Sequence, residues 1–216
     1  MGTTARRGKE QGAIRRLANA AIRCEDGRFV FVGTEADYAR EYAGRPAEAT
    51  LDAGGRAVIP GLVDAHTHPV WLGDRGVEIG RRLAGESYAT IAAEGGGINA
   101  TVRATRAGSD EELETTVRRR LRAMLEHGTT TAEAKSGYGL TVRDEIRALE
   151  LLRRLAAEAG LPRLVPTLLA AHEIPPEFRE NRSEWVRVVA EEIVPRAARD
   201  RLARYADVFC EKGVFT

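Results

Sequence analysis

The sequence predicts an α/β fold, a parallel sheet covered by helices that amounts to about half of a (β/α) barrel, with a small β unit ahead of it. Three observations predict it. Short apolar or β-branched runs recur at residues 62 to 68, 129 to 134, 164 to 172 and from 206 onward, each the length of a buried strand. Helical stretches with capping or terminating signals fall between them, and that alternation belongs to parallel sheets. A closed eight-stranded barrel takes roughly 250 residues, whereas residues 62 to 216 offer room for about half of one.

Each element has its own local reason. Residues 1 to 20 mix Arg, Gly, Gln and Ala without a stripe and read as an irregular tail. Residues 21 to 61 read as the small β unit: AAIRCEDGRFVFVG places Asp26-Gly27 at a hairpin turn. A short helix at Glu35 to Tyr42 and a second extended piece, ATLDAGGRAVIPG, follow. The barrel half then opens at LVDAHTH. After it comes a long glycine-bearing connection containing Glu94-Gly95-Gly96-Gly97-Ile98. Ser109 and Glu112 have capping-box spacing, Leu113, Val117, Leu121 and Leu125 recur every four residues, and Gly128 ends that helix. TTTAEA reads as the second strand, with the loop KSGYG behind it. The next helix starts near Thr141, turns Ile146, Leu149, Leu152 and Leu155 to one face, and stops before Gly160 and Pro162. LVPTLLAAH is the third strand. Beyond the Pro175-Pro176 turn a helix from Ser183 buries Trp185, Val188, Val189 and Ile193 and breaks at Pro195, and ADVFCEKGVF supplies the fourth strand.

Composition narrows the partners. Lys+Arg number 33 against Asp+Glu 32, a formal charge of +1, which favours neither nucleic acid nor an acidic membrane and suits a small ligand. The basic cluster Arg118, Arg119, Arg120 and Arg122 reads as a solvated helix face. Gly95 to Gly97 lacks the lysine of a phosphate loop and reads as a mobile flap. Cys24 and Cys210 are too far apart for a paired thiol motif, no apolar run approaches a membrane span, and the basic amino terminus leads into no secretory core. A cytoplasmic protein is expected.

The sharpest chemical signal is His66-Thr67-His68. Side chains two apart on a strand point to one face, so two imidazoles can hold one cation. The carboxyl end of a barrel strand is where such folds carry their sites. Asp64, on the same face, is placed to orient a histidine or to be buried with a partner.

PGLVDAHTH resembles the first-strand signature of the amidohydrolase superfamily. HTHPVWLGDR, GGGINATVRATR, AEAKSGYGL, LLAAHEIPPEF and VFCEKGVF narrow the resemblance to imidazolonepropionase, over its amino-terminal half. The resemblance implies a metallo-dependent hydrolase of the TIM-barrel type, only partly present. It implies hydrolytic opening of 4-imidazolone-5-propanoate to N-formimino-L-glutamate in histidine degradation, with one divalent metal. His66 and His68 would be two of its ligands, while Arg75, Tyr138 and His172 would bind substrate. Arg75 would take the carboxylate through its planar donors, Tyr138 would use its hydroxyl, and His172 would polarise the ring or bind the carboxylate. Lys212, after the fourth strand, reads as structural.

A catalytic metal of this kind commonly has three or more protein ligands, and only two are offered. In the resembled family the remaining ligands and the acid/base groups come from the other half of the barrel, beyond Thr216 here. A truncated frame or a domain fragment, weak metal binding, little turnover and association through open strand edges are therefore expected. Two imidazoles suit zinc and iron equally. Two other readings stand beside this one. The first is another amidohydrolase, such as a deaminase or a dihydroorotase-like enzyme. The second is a non-catalytic half-barrel that pairs with a partner or forms a homo-oligomer.

Overall fold

The computed structural model describes residues 6–211, 214 and 215, apart from the side chains of 89, 92 and 93. Contacts divide the chain into two compact units, Met1–Val58 and Ile59–Thr216.

In the first unit, strands β1 (Ala20–Glu25) and β2 (Arg28–Thr34) pair antiparallel around Asp26 and Gly27. Both turn residues take positive φ, 49° and 72°, as a two-residue hairpin whose twist matches its strands requires. Thr34 caps helix α1 (Glu35–Glu41), its hydroxyl accepting from the Asp37 amide at 3.2 Å. Phe31 meets Tyr38 and Tyr42 edge-on. The second extended piece expected at residues 49 to 61 forms no strand. Gly54 and Gly55 turn to φ 58° and 73°, which breaks an extended run.

The second unit begins with β3 (Leu62–Thr67). The connection expected as a loop holds three helices, α2 (Gly76–Leu83), α3 (Tyr88–Ala93) and α4 (Ile98–Ala107), before α5 (Asp110–Glu126). Their burial explains why no apolar period announced them. On α2 the apolar side chains Val77, Ile79 and Leu83 are exposed, and α4 buries Asn99, Thr101 and Thr105 alongside Val102. Ser109 caps α5 as its spacing predicts, accepting from the Glu112 amide at 3.1 Å. Then follow β4 (Thr129–Lys135), α6 (Val142–Leu155) and β5 (Arg163–Ala171). Helix α7 (Arg182–Val188) runs through a π-helical turn, Val189–Ile193, into α8 (Val194–Arg199), and β6 (Tyr205–Val208) closes the series. The irregular turn lies just ahead of Pro195, whose ring and missing N–H prevent a regular i−4 ladder there.

The sheet order is β3-β4-β5-β6, every pairing parallel, and the sheet curls as a half-barrel. Leu113, Val117 and Leu121 of α5 and Ile146, Leu149, Leu152 and Leu155 of α6 fill the core with Ala132, Ala134 and Leu168 of the middle strands. The edges differ from the middle. β6 is exposed throughout and β3 nearly so, with Leu62, Val63, Tyr205 and Val208 in solvent. Among the described residues no helix is long and apolar enough to cross a membrane.

Candidate active site

Parallel strands aim their carboxyl ends at one rim, and the sequence-predicted histidines and tyrosine gather there. His66 is the next-to-last residue of β3, and His68 follows the strand, with the two rings 5.6 Å apart between centroids. Tyr138, on the loop after β4, lies edge-on to His68 at 5.4 Å and to His172 at 5.3 Å. His172, directly after β5, stacks on His68 at 4.8 Å with 17° between planes. Phe209, beyond β6, meets His172 edge-on at 6.2 Å. All four strands thus contribute to one cluster of rings.

Electrostatics follow from burial. His68 is driven down to about 4 by burial first, then by the neighbouring His172, against a raising hydrogen bond to the Ser136 carbonyl. It is therefore neutral at pH 7, the form that ligates metals. Burial raises the Tyr138 phenol, with the charge of Arg75 opposing, so its hydroxyl stays a donor. Arg75 itself is held by Glu78, Nε donating to Oε2 at 3.0 Å, and the Glu78 carboxylate also accepts from the Gly97 amide at 2.8 Å. Glu78 thus ties Arg75 to the glycine segment. Asp64 accepts from the backbone amide of His66 at 3.2 Å, so it braces the strand end instead of orienting an imidazole.

Several participants escape sequence reasoning. Lys135 is nearly buried between two carboxylates, donating to Glu133 Oε1 at 2.7 Å and Asp207 Oδ2 at 2.8 Å. Burial opposes its charge, but those two bonds prevail and raise it, while Lys135 in turn lowers Asp207. Glu133 also accepts from the Thr67 amide, between the two histidines, at 3.4 Å. The signal available was Glu133 and Lys135 two apart in a strand otherwise of threonine and alanine, hence on one face. Arg120, read as solvated, turns inward instead. Its Nη1 donates to the carbonyls of Pro69 at 2.9 Å and Trp71 at 2.5 Å, with the guanidinium 3.5 Å over the Trp71 ring. Those carbonyls lie in irregular backbone that needs donors from elsewhere. Lys212 lies outside the described residues.

Could these groups hold a metal? Two imidazoles whose ring centroids lie 5.6 Å apart fit part of a ligand set for a divalent ion. Among the described residues no group of three or more His, Cys, Asp or Glu side chains is arranged as a complete one.

Paired histidines thus stand at the carboxyl rim of a curled parallel half-barrel sheet. No family model matches the chain. It is 50% identical over 206 residues to the imidazolonepropionase of Solibacter usitatus, covering 94% of this chain and 49% of that one. The imidazolonepropionase of Symbiobacterium thermophilum is 47% identical over 212 residues, with 98% and 50% covered. That of Geobacillus kaustophilus is 46% identical over 201 residues, with 93% and 47% covered. Over nearly its whole length the chain is similar to these imidazolonepropionases, and it spans about half the length of the curated relatives it matches.

Proposed function

We propose that this chain supplies one half of a metal-dependent hydrolase that opens the cyclic amide of 4-imidazolone-5-propanoate to N-formimino-L-glutamate in histidine degradation. The observation carrying the proposal is the convergence of His66, His68, Tyr138 and His172 on one rim. In this reading residues 62–216 are the first half of a metallo-dependent TIM barrel and residues 21–61 its small β unit. His66 and His68 would hold one zinc or iron ion, and the chemistry such an ion would supply there is the activation of water. Arg75 grips the propanoate, and Tyr138 donates its neutral hydroxyl. His172 bears on the ring. The remaining ligands and the acid/base groups belong to the part of the relatives that this chain does not match. The 216-residue chain alone accordingly turns over little substrate. The reaction is placed in the cytoplasm, where the two exposed free thiols, Cys24 and Cys210, stay reduced.

A titration with imidazole propanoate tests the assignment. Binding should need the carboxylate, with imidazole alone much weaker, and should fall at least about tenfold in Arg75→Ala, the loss of a charge-assisted bidentate pair. A nucleobase bound as tightly, with Arg75→Ala indifferent, moves the chain to another amidohydrolase activity.

The open strand edges favour a second reading, a half-barrel that associates with a partner. Size measurement with and without a separately supplied second half distinguishes it: assembly that leaves no metal or ligand site would support a purely structural pairing role.

A further inference from the structure

The loop between β4 and α6 touches both central imidazoles through its backbone. The Ser136 carbonyl lies 3.2 Å from His68 Nδ1, and the Gly137 carbonyl lies 2.8 Å from His172 Nδ1. A carbonyl oxygen only accepts, so each contact requires a proton on Nδ1. In water a neutral histidine side chain prefers the other tautomer, with the proton on Nε2. We infer that the Ser136–Leu140 loop is a tautomer clamp, fixing His68 and His172 with Nδ1–H donated to backbone and Nε2 left as an acceptor, and that Glu145 is the positioning residue that holds the loop in this shape.

Glu145, on the first turns of α6, is fully buried. Its carboxylate accepts from the amides of Gly137 at 3.0 Å, Gly139 at 3.0 Å and Leu140 at 2.8 Å, and from the Ser136 hydroxyl. The Ser136 hydroxyl oxygen accepts in turn from the Leu169 amide at 3.0 Å, tying the loop to β5 ahead of His172. Every group facing the carboxylate is a donor, so only an acceptor on both oxygens satisfies the site. The loop needs this support: Leu140 sits at φ 52°, and a Cβ at Gly137 would come within 2.8 Å of the Leu169 carbonyl oxygen and 3.0 Å of His172 Nδ1.

The clamp decides what each ring can do. An acceptor Nε2 on His68 is the lone pair a metal needs. On His172 it pairs with an N–H of a ligand ring and repels carboxylate oxygens. The carboxylate is thereby left to Arg75, and His172 becomes the residue that selects for a ring N–H. That last consequence rests on the proposed substrate; the tautomers themselves do not.

Long-range proton–nitrogen correlation spectra of the 216-residue chain with labelled histidine, metal-free at pH 8, read the tautomers directly, with His68→Asn and His172→Asn for assignment. The expected result is protonated Nδ1 and unprotonated Nε2 at both residues. The opposite tautomer at either one overturns the clamp. Glu145→Gln should shift both toward a mixture and weaken zinc binding by about tenfold or more, the range for losing an outer support of a ligand. Unchanged tautomers in that variant overturn the role of Glu145. Should Glu145→Gln not fold, Glu145→Asp, with its charge kept and its reach shortened, carries the same expectations. Failure of imidazole propanoate to bind while the tautomers hold would instead overturn the proposed substrate alone.

Discussion

Removing the Arg120 side chain should unsettle the segment that leads from His68 to Arg75. Its guanidinium donates to the carbonyls of Pro69, one residue beyond His68, and Trp71, and stacks over the Trp71 ring. Hydrogen bonds from a charged donor contribute about 1.5–3 kcal/mol each, and a cation–π contact about 1 kcal/mol. Against this stands the burial that lowers its pKa to about 10. Taken at face value that is about 3 kcal/mol, reduced by about half because the side chain is only half buried. The net loss in Arg120→Ala is therefore about 2.5–5.5 kcal/mol. Arg120→Lys should recover about half, since an ammonium has no plane to stack and no fork to reach both oxygens. Urea unfolding followed by tryptophan fluorescence, which reports on Trp71 itself, measures both. A stability of Arg120→Ala within about 0.5 kcal/mol of the parent, the ordinary scatter of surface substitutions, would refute the reasoning.

Three more outcomes follow from the same geometry. Because burial lowers His68 to about 4 from 6.5, folding favours the neutral ring. The stability is fully present above 6.5 and is lost as pH falls from 6.5 toward 4, by about 2 kcal/mol after discounting for partial exposure. An acid titration of His68→Asn should lack that loss, and an unchanged profile would contradict it. Gly137→Ala should cost about 2–4 kcal/mol in thermal or urea unfolding, from its φ of 108° and the contacts its Cβ would make; a cost under about 1 kcal/mol, as for an open glycine, would argue against the tight loop. Lys135→Met should cost about 3 kcal/mol or more, since it leaves Glu133 and Asp207 facing each other without their cation, and a neutral result would show that the three groups do not act together.

Much of the second unit was legible because its helices announce themselves. Ser109 with Glu112, and the spacing of Ile146, Leu149, Leu152 and Leu155, state a cap and a buried stripe in the residues themselves. Helices α2 and α4 were not legible, since one exposes its apolar side chains and the other buries threonines and an asparagine. The second extended piece expected at residues 49 to 61 is interrupted by Gly54 and Gly55, whose positive φ breaks an extended run. In the site, His66, His68, Tyr138 and His172 could be named because their residue types and loop positions carry chemistry, and the fold brings them together. Arg120, Lys135 and Glu145 could not, because a charged residue reads as solvent-facing until its partners are known. For Arg120 those partners are carbonyls far away along the chain, and for Lys135 one is Asp207 on another strand.

The paired imidazoles of His66 and His68 carry the whole reading, and cobalt titration of the 216-residue chain, watched by its visible absorption, tests them most directly. One ion per chain is expected, bound with histidine-type bands that weaken at least about tenfold in His66→Ala or His68→Ala and vanish in the double variant. Cobalt bound equally well by the double variant, or no histidine bands in the parent, would contradict it.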